Sequence, residues 1–267
     1  MNLDQLNERQ QETWTSGDFP KMGVELAIAG EFLCEAVPVY AGDRVLDVGT
    51  ASGNTALSAA RRRAKVTAID LVPSLLERGR QRAASEGLSI DFQEGDAMAL
   101  AFPDASFDAV MSTFGAIFAP DADRTAAEMA RVCRPGGKVA LAAWTPDGML
   151  GRLFRLLAQF APAELALDAP IEWGEEAKFQ KRLGPFCNEI AVERQAVYFR
   201  AVSAQKWVEF MKTYFGPAIR AFDASTSTAQ KTLAKKMADL ISEFNSAPNG
   251  TILARSEYLE IVATKRA

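Results

Sequence analysis

The chain has no histidine among its 267 residues, which excludes outright a histidine general base. Cysteine is scarce: Cys34, Cys133 and Cys187 include no C-x-x-C pair, so neither a zinc site nor a redox motif is present, and three thiols cannot all pair within one chain. Cys34 follows the apolar Leu26-Ala27-Ile28 and Phe32-Leu33, where a small buried side chain is expected. No stretch of about twenty uncharged apolar residues occurs, so no membrane span is expected. The N-terminal residues lack the cationic start and apolar core of a signal peptide, and a cytoplasmic location is expected. Positive charge is also short: the net charge is -4, which disfavours a nucleic-acid partner. The run Arg61-Arg62-Arg63 reads as a solvated helix end rather than a phosphate patch.

What the chain does have is an alternation of short apolar runs with longer amphipathic ones from about residue 42 to 146. Arg44–Val48, Lys65–Asp70, Ile90–Gln93, Phe107–Ser112 and Lys138–Trp144 read as strands. Asn54–Arg63, a segment from Pro73 to about Glu86, and Ala122–Val132 read as helices. Arg134-Pro135-Gly136-Gly137 is a stop-and-turn signal before the fifth strand. Strands alternating with helices imply parallel pairing by right-handed crossovers, hence a doubly wound α/β sheet. Beyond Trp144 the pattern predicts a helix over Leu150–Phe160, a strand over Glu189–Ala201 and a helix over Thr228–Phe244. Ala204–Phe222 is aromatic-rich and interrupted or ended by Pro217, and Tyr258–Thr264 is a terminal strand. The expected organisation is one domain. Residues 1-40 form an N-terminal helical cover, 41-146 a ligand-binding core, and 147-267 lid helices (about 148 to 180 and 203 to 246) with the final strands.

An open parallel sheet binds ligands at the carboxyl ends of its strands, where the topology reverses. The first strand empties into Asp47-Val48-Gly49-Thr50-Ala51-Ser52-Gly53, and glycines there let a ligand approach the backbone closely. The phosphate fingerprints fail. Counting from Gly49, the second and third positions of G-x-G-x-x-G are Ala51 and Asn54. The sixth position of a P-loop is also Asn54, with no lysine after it. Asp70 ends the second strand, where a carboxylate can accept from two ribose hydroxyls or simply cap the next helix.

The acid followed by a glycine-rich turn resembles motif I of the class I S-adenosylmethionine-dependent methyltransferases, with Ala51 replacing the usual middle glycine. Asp70, Gly95-Asp96-Ala97-Met98, Phe107-Asp108-Ala109-Val110 and Arg134-Pro135-Gly136-Gly137-Lys138 follow in the family's order. Trp14–Phe19 and the late strand–helix–strand layout look like the small-molecule, ubiquinone/menaquinone-biosynthesis type (methyltransferase type 11). The resemblance implies a Rossmann-like, mostly parallel seven-stranded sheet with helical lid insertions. It also implies S-adenosylmethionine as cofactor and S-adenosylhomocysteine as product. Asp47 would face the cofactor's ammonium, directly or through water, Asp70 the ribose and Asp96 the adenine amino group. Gly49, Thr50, Ala51, Gly53, Leu71, Ala97, Met98, Ser112 and Phe114 complete the expected cofactor contacts.

Methyl transfer from a sulfonium is an in-line displacement, so the protein has to align the acceptor and exclude water. Trp14, Phe19, Phe114, Phe118, Trp207, Tyr214 and Phe215 are candidates to line an acceptor cavity, though each also suits core packing. Asp18, Tyr214 and Glu209 are the candidate bases, with no pattern selecting one. Ser112-Thr113-Phe114-Gly115 stands where amino-methylating enzymes of adenine or glutamine carry Asn/Asp-Pro-Pro-Tyr/Phe. No cysteine follows a proline, as carbon methylation of cytosine requires. Nor does the fourth strand end in the acid of a metal-dependent catechol site. These absences point to a metal-free enzyme, and the apolar and aromatic content of the lid suggests a small, partly hydrophobic acceptor. That acceptor is expected to be already nucleophilic, such as an ionised phenol, an enol-type carbon or an amine, and the protein to be a monomer or homodimer. A cofactor-binding regulatory or scaffold protein without turnover is the alternative reading; a nicotinamide oxidoreductase is disfavoured by the missing glycines.

Overall fold

In the computed structural model, which describes residues 3–161 and 169–267, two helices precede the first strand: α1 (Leu3–Thr15) and α2 (Phe19–Ala36). Helix α2 buries Met22, Leu26, Ala29 and Leu33, a spacing that puts one stripe against the sheet. The alternating core follows as β1 (Arg44–Val48), α3 (Asn54–Arg61), β2 (Lys65–Asp70), α4 (Pro73–Ser85), β3 (Ile90–Glu94) and β4 (Phe107–Thr113). A 3-10 turn (Ala116–Phe118), α5 (Ala122–Val132) and β5 (Cys133–Trp144) complete it. Strand β1 is buried at every position after Arg44, as expected of a strand covered on both faces.

The sheet order is β3-β2-β1-β4-β5-β7-β6, where β6 is Cys187–Ala201 and β7 is Ile252–Lys265. Strands β1 to β5 pair in parallel, and β7 runs antiparallel between β5 and β6. This is the mostly parallel seven-stranded arrangement expected from the sequence. The order reverses between β1 and β4, which opens a crevice at the carboxyl ends of those two strands.

Between β5 and β6 lie α6 (Met149–Ala158), α7 (Ala169–Glu172) and α8 (Glu176–Leu183). Between β6 and β7 lie α9 (Ala204–Tyr214), α10 (Gly216–Asp223) and α11 (Ser227–Glu243). Helices α6, α9, α10 and α11 pack on one another, and α1 packs on α10. Residues 162–168 of the expected lid stretch, and residues 1–2 of the expected cover, lie outside the described residues.

Two strand boundaries shift by several residues from expectation. Strand β5 starts at Cys133, because Arg134–Gly137 loops out of the ladder: the register jumps from Phe107↔Cys133 to Ala109↔Lys138. Strand β7 starts at Ile252 instead of Tyr258. Pro217 interrupts the aromatic-rich segment by opening α10 in its first turn. The arginine run is a surface ion-pair network: Arg61 meets Glu31 (2.7 Å) and Glu86 (2.6 Å), and Arg62 meets Glu31 and Glu35. Among the described residues no helix is long and apolar enough to cross a membrane.

Candidate active site

The turn after β1 is built from backbone conformations that most side chains avoid. Gly49 (φ 66°) and Gly53 (φ 87°) are left-handed, and so is Ala51 (φ 48°). Asp47, 1% exposed, braces this turn from below. Its Oδ2 accepts from Thr50 Oγ1 (2.6 Å) and from the Ala56 amide (3.0 Å), while Oδ1 is buried with no partner among the described residues. The turn after β4 comes so close that a Cβ on Gly115 would stand 2.0 Å from the Gly49 carbonyl oxygen. Ser112 ties the two turns, donating to the Val48 carbonyl (2.6 Å) and accepting from the Ala116 amide (2.8 Å).

Ala51 occupies a position suited to glycine, so Ala51→Gly should not be destabilising, against the usual cost of that exchange. Relief of about 1–2 kcal/mol of left-handed strain is opposed by about 0.4–1 kcal/mol of added unfolded-state entropy. The urea midpoint is expected to hold or rise; a clear fall would mean that the alanine methyl packs productively.

Two further strand-end acids converge on the same crevice. Asp70 accepts at Oδ2 from the Ala51 amide (2.8 Å) and at Oδ1 from the Val72 amide (3.0 Å), joining the turns after β1 and β2. Asp96 accepts at Oδ1 from the Met98 amide (2.8 Å) and at Oδ2 from Asn7 Nδ2 (2.7 Å) of α1. Gln11, one helical turn later, donates to the Leu71 carbonyl (2.8 Å). Burial raises the Asp47 carboxyl to about 7 despite the bonds from Thr50 and Ala56. Burial likewise raises Asp70 to about 6, against the backbone hydrogen bonds that favour its charge.

These groups surround a cavity of about 1160 Å³, counting its open mouth. Of the residues expected at the cofactor, Gly49, Thr50, Ala51, Asp70, Leu71, Asp96, Ala97 and Phe114 line it. Asp47, Gly53, Met98 and Ser112 stand behind the wall and hold it. Another part of the wall is apolar: the rings of Trp14, Phe19, Phe118, Phe154 and Phe215 pack together there, Leu150 joins the lining, and Trp144 and Phe114 stack at 3.7 Å and 8°. Phe114 is itself left-handed (φ 63°), a strained conformation of the kind that collects at functional sites.

The three candidate bases do not line the cavity. Asp18 sits at the N-cap position of α2, and its backbone amide donates to the Tyr214 carbonyl (3.1 Å). Tyr214 packs its ring on Phe210, and Glu209 is exposed and paired with Lys206 (2.7 Å). Trp207 is buried in the core. Sequence reasoning missed Asn7, Gln11, Gly115, Trp144, Leu150 and Phe154. The first two carry no strand-tip signal, since they arrive from a helix far away in the chain. Trp144 and Phe154 were legible as apolar positions, but nothing in their spacing separates a cavity wall from a core.

Residues 45–137 match a family model described as a methyltransferase domain. An uncharacterised protein of Mycobacterium tuberculosis is 37% identical over 239 residues, 87% of each chain. A demethylmenaquinone methyltransferase of Deinococcus radiodurans is 44% identical over 120 residues, 43% of this chain and 50% of that one. The fold matches that of a Haemonchus contortus phosphoethanolamine N-methyltransferase, solved with phosphomonomethylethanolamine and S-adenosylhomocysteine. The TM-score is 0.58 at 18% identity, over 90% of this chain and 52% of the other. With the strand-end acids, the glycine turn and the sheet order, these likenesses identify the chain as a class I S-adenosylmethionine-dependent methyltransferase.

Proposed function

We propose that the cavity binds S-adenosylmethionine at its acidic end and, at its aromatic end, a small apolar acceptor that is already nucleophilic. The observation that carries this reading is the charge of the wall: Asp70 and Asp96 line it, and no lysine or arginine does among the described residues. Such a wall repels a phosphate-bearing ligand and suits one with an ammonium and hydroxyls. The orphaned Asp47 Oδ1 beneath the first turn and the Gly49–Gly115 approach, which any Cβ would fill, both fit this cofactor.

Asp70 holds the ribose hydroxyls with the acceptor capacity left after its two backbone bonds, since a carboxylate has about four lone-pair sites. Asp96 takes the adenine amino group. The turn Gly49–Gly53 packs along the amino-acid end, with Asp47 acting through Thr50 or a water. Bound, the cofactor supplies an electrophilic methyl group. The aromatic end excludes water and aligns the acceptor. Among the described residues no ionisable side chain lines that end, so none of them is placed to deprotonate an alcohol. An ionised phenol, an enol carbon or a neutral amine needs no such help. The demethylmenaquinone methyltransferase relative supports an apolar ring among these. The three cysteines stay free and buried, which suits a reducing cytoplasm.

Calorimetric titration tests the cofactor half: S-adenosylhomocysteine should bind and NADH should not. Asp70→Ala should weaken that binding by about 1–3 kcal/mol, the cost of leaving polar groups unpaired. Unchanged affinity would mean that the ribose lies elsewhere. Labelled methyl transfer into a metabolite extract tests turnover; binding without any labelled product would instead support a regulatory protein.

A further inference from the structure

We infer that Asn7 makes this pocket select a 6-amino over a 6-oxo purine, a role in cofactor specificity taken by the N-terminal helix. The inference rests on the placement of the adenosyl group proposed above.

Asn7 belongs to the cavity wall, and its amide is held by a charge-assisted bond: Nδ2 donates to Asp96 Oδ2 at 2.7 Å. That bond fixes which way the amide faces, because a flipped amide would set its oxygen against a carboxylate oxygen. The other end, Oδ1, is buried and has no hydrogen-bond partner among the described residues. A buried acceptor without a donor is costly, so such a group in a ligand-cavity wall calls for one. Asp96 spends Oδ1 on the Met98 amide and accepts from Asn7 at Oδ2, and still has lone pairs to offer. The exocyclic amine of adenine brings two N–H groups. Asp96 accepts one, and Asn7 Oδ1 accepts the other. A 6-oxo purine places an acceptor against these two acceptors and cannot be accommodated by turning the amide over.

A residue that merely anchored α1 would behave differently. Gln11 anchors the same helix through the Leu71 carbonyl, so loosening that bond should affect every purine alike. The test is calorimetric affinity of the full chain for S-adenosylhomocysteine and for S-inosylhomocysteine, its 6-oxo counterpart. Wild type, Asn7→Ala, Asn7→Leu and Gln11→Ala are compared, with circular dichroism reporting the fold of each. Both Asn7 variants should cut the amino-to-oxo preference by about fivefold or more, as expected when a site built to hydrogen-bond its ligand loses one partner. Gln11→Ala should weaken both ligands by the same factor. An unchanged preference in the Asn7 variants, with wild type still binding S-adenosylhomocysteine, overturns the role of Asn7 alone. Failure of wild type to bind S-adenosylhomocysteine at all would instead remove the cofactor placement beneath it.

Discussion

Gly115→Ala should lower the melting temperature by about 6–12 °C and abolish S-adenosylhomocysteine binding. The reason is space rather than backbone conformation. Gly115 has ordinary right-handed dihedrals (φ -84°, ψ -60°) that alanine adopts freely. Its added methyl, however, would lie 2.0 Å from the Gly49 oxygen and 2.7 Å from the Gly49 carbonyl carbon. Both are backbone atoms in the turn that the acids brace, so neither can rotate aside. Overpacking at such a site costs roughly 3 kcal/mol, and about 2–4 °C accompanies each kcal/mol in a chain near this size. Pushing the two turns apart would also break the Ser112 bonds that join them and shift the wall facing the cofactor. Gly42→Ala is the comparison: Gly42 is left-handed (φ 92°) with nothing within 4 Å of the added carbon, so it incurs strain without collision. That variant should lose about 1 kcal/mol and keep its ligand affinity. Equal losses in the two variants would show that the turns separate easily and that the close approach is incidental.

Much of this architecture was legible because it is local. The strand-end acids and the glycines sit in contiguous segments, and the apolar runs from Arg44 to Trp144 mark their own strands. What escaped the sequence depends on contacts distant in the chain. Strand β7 was expected only from Tyr258, and the polar Arg255-Ser256-Glu257 precedes that point. In the fold, Ser256 is fully buried and its hydroxyl accepts from the Leu150 amide, while the stretch pairs with β6. The arm of α1 that reaches Asp96 and Leu71 spans 89 and 60 residues of sequence separation. No periodicity encodes such a meeting. Asp18, Tyr214 and Glu209 failed to reach the cavity for the same reason. Their residue types permit proton transfer, but position decides: α9 carries Tyr214 and Glu209 away from the cavity, and Asp18 stays at the start of α2. Asp47, expected to face the cofactor's ammonium directly or through water, lies beneath the turn and accepts from the wall residue Thr50.

That buried position leads to the second large effect, a stability that falls as pH rises toward neutrality. With no histidine in the chain, no imidazole titrates between pH 5 and 7, so the slope there reports the carboxylates. Asp47 is raised to about 7 and Asp70 to about 6, and burial also raises Glu25 and Glu260. Between their ordinary and raised values these acids are protonated in the folded state and ionised in the unfolded one. The folded state therefore holds more protons, and unfolding free energy falls by up to about 1.4 kcal/mol per pH unit for each such acid. Acids lowered by arginine partners, such as the exposed Glu86 and the half-buried Glu128, act in the opposite sense but titrate mainly below this window. Urea unfolding of the ligand-free protein should thus show a midpoint that declines from pH 5 to pH 7. Asp47→Asn, which imitates the protonated acid, should reduce that decline and exceed wild type in stability at pH 7. Binding has the reverse dependence, because an ammonium and ribose hydroxyls favour ionised acids. The affinity for S-adenosylhomocysteine should rise on the order of tenfold from pH 5.5 to 7 in wild type, with proton release seen as a dependence of binding heat on the buffer. A ligand-free midpoint that is flat across the window would mean that Asp47 and Asp70 are already charged in the empty protein. The burial of Asp47 would then be offset by water reaching its unpaired oxygen, the same kind of bridge through which Asp47 is proposed to act on the cofactor's amino-acid end.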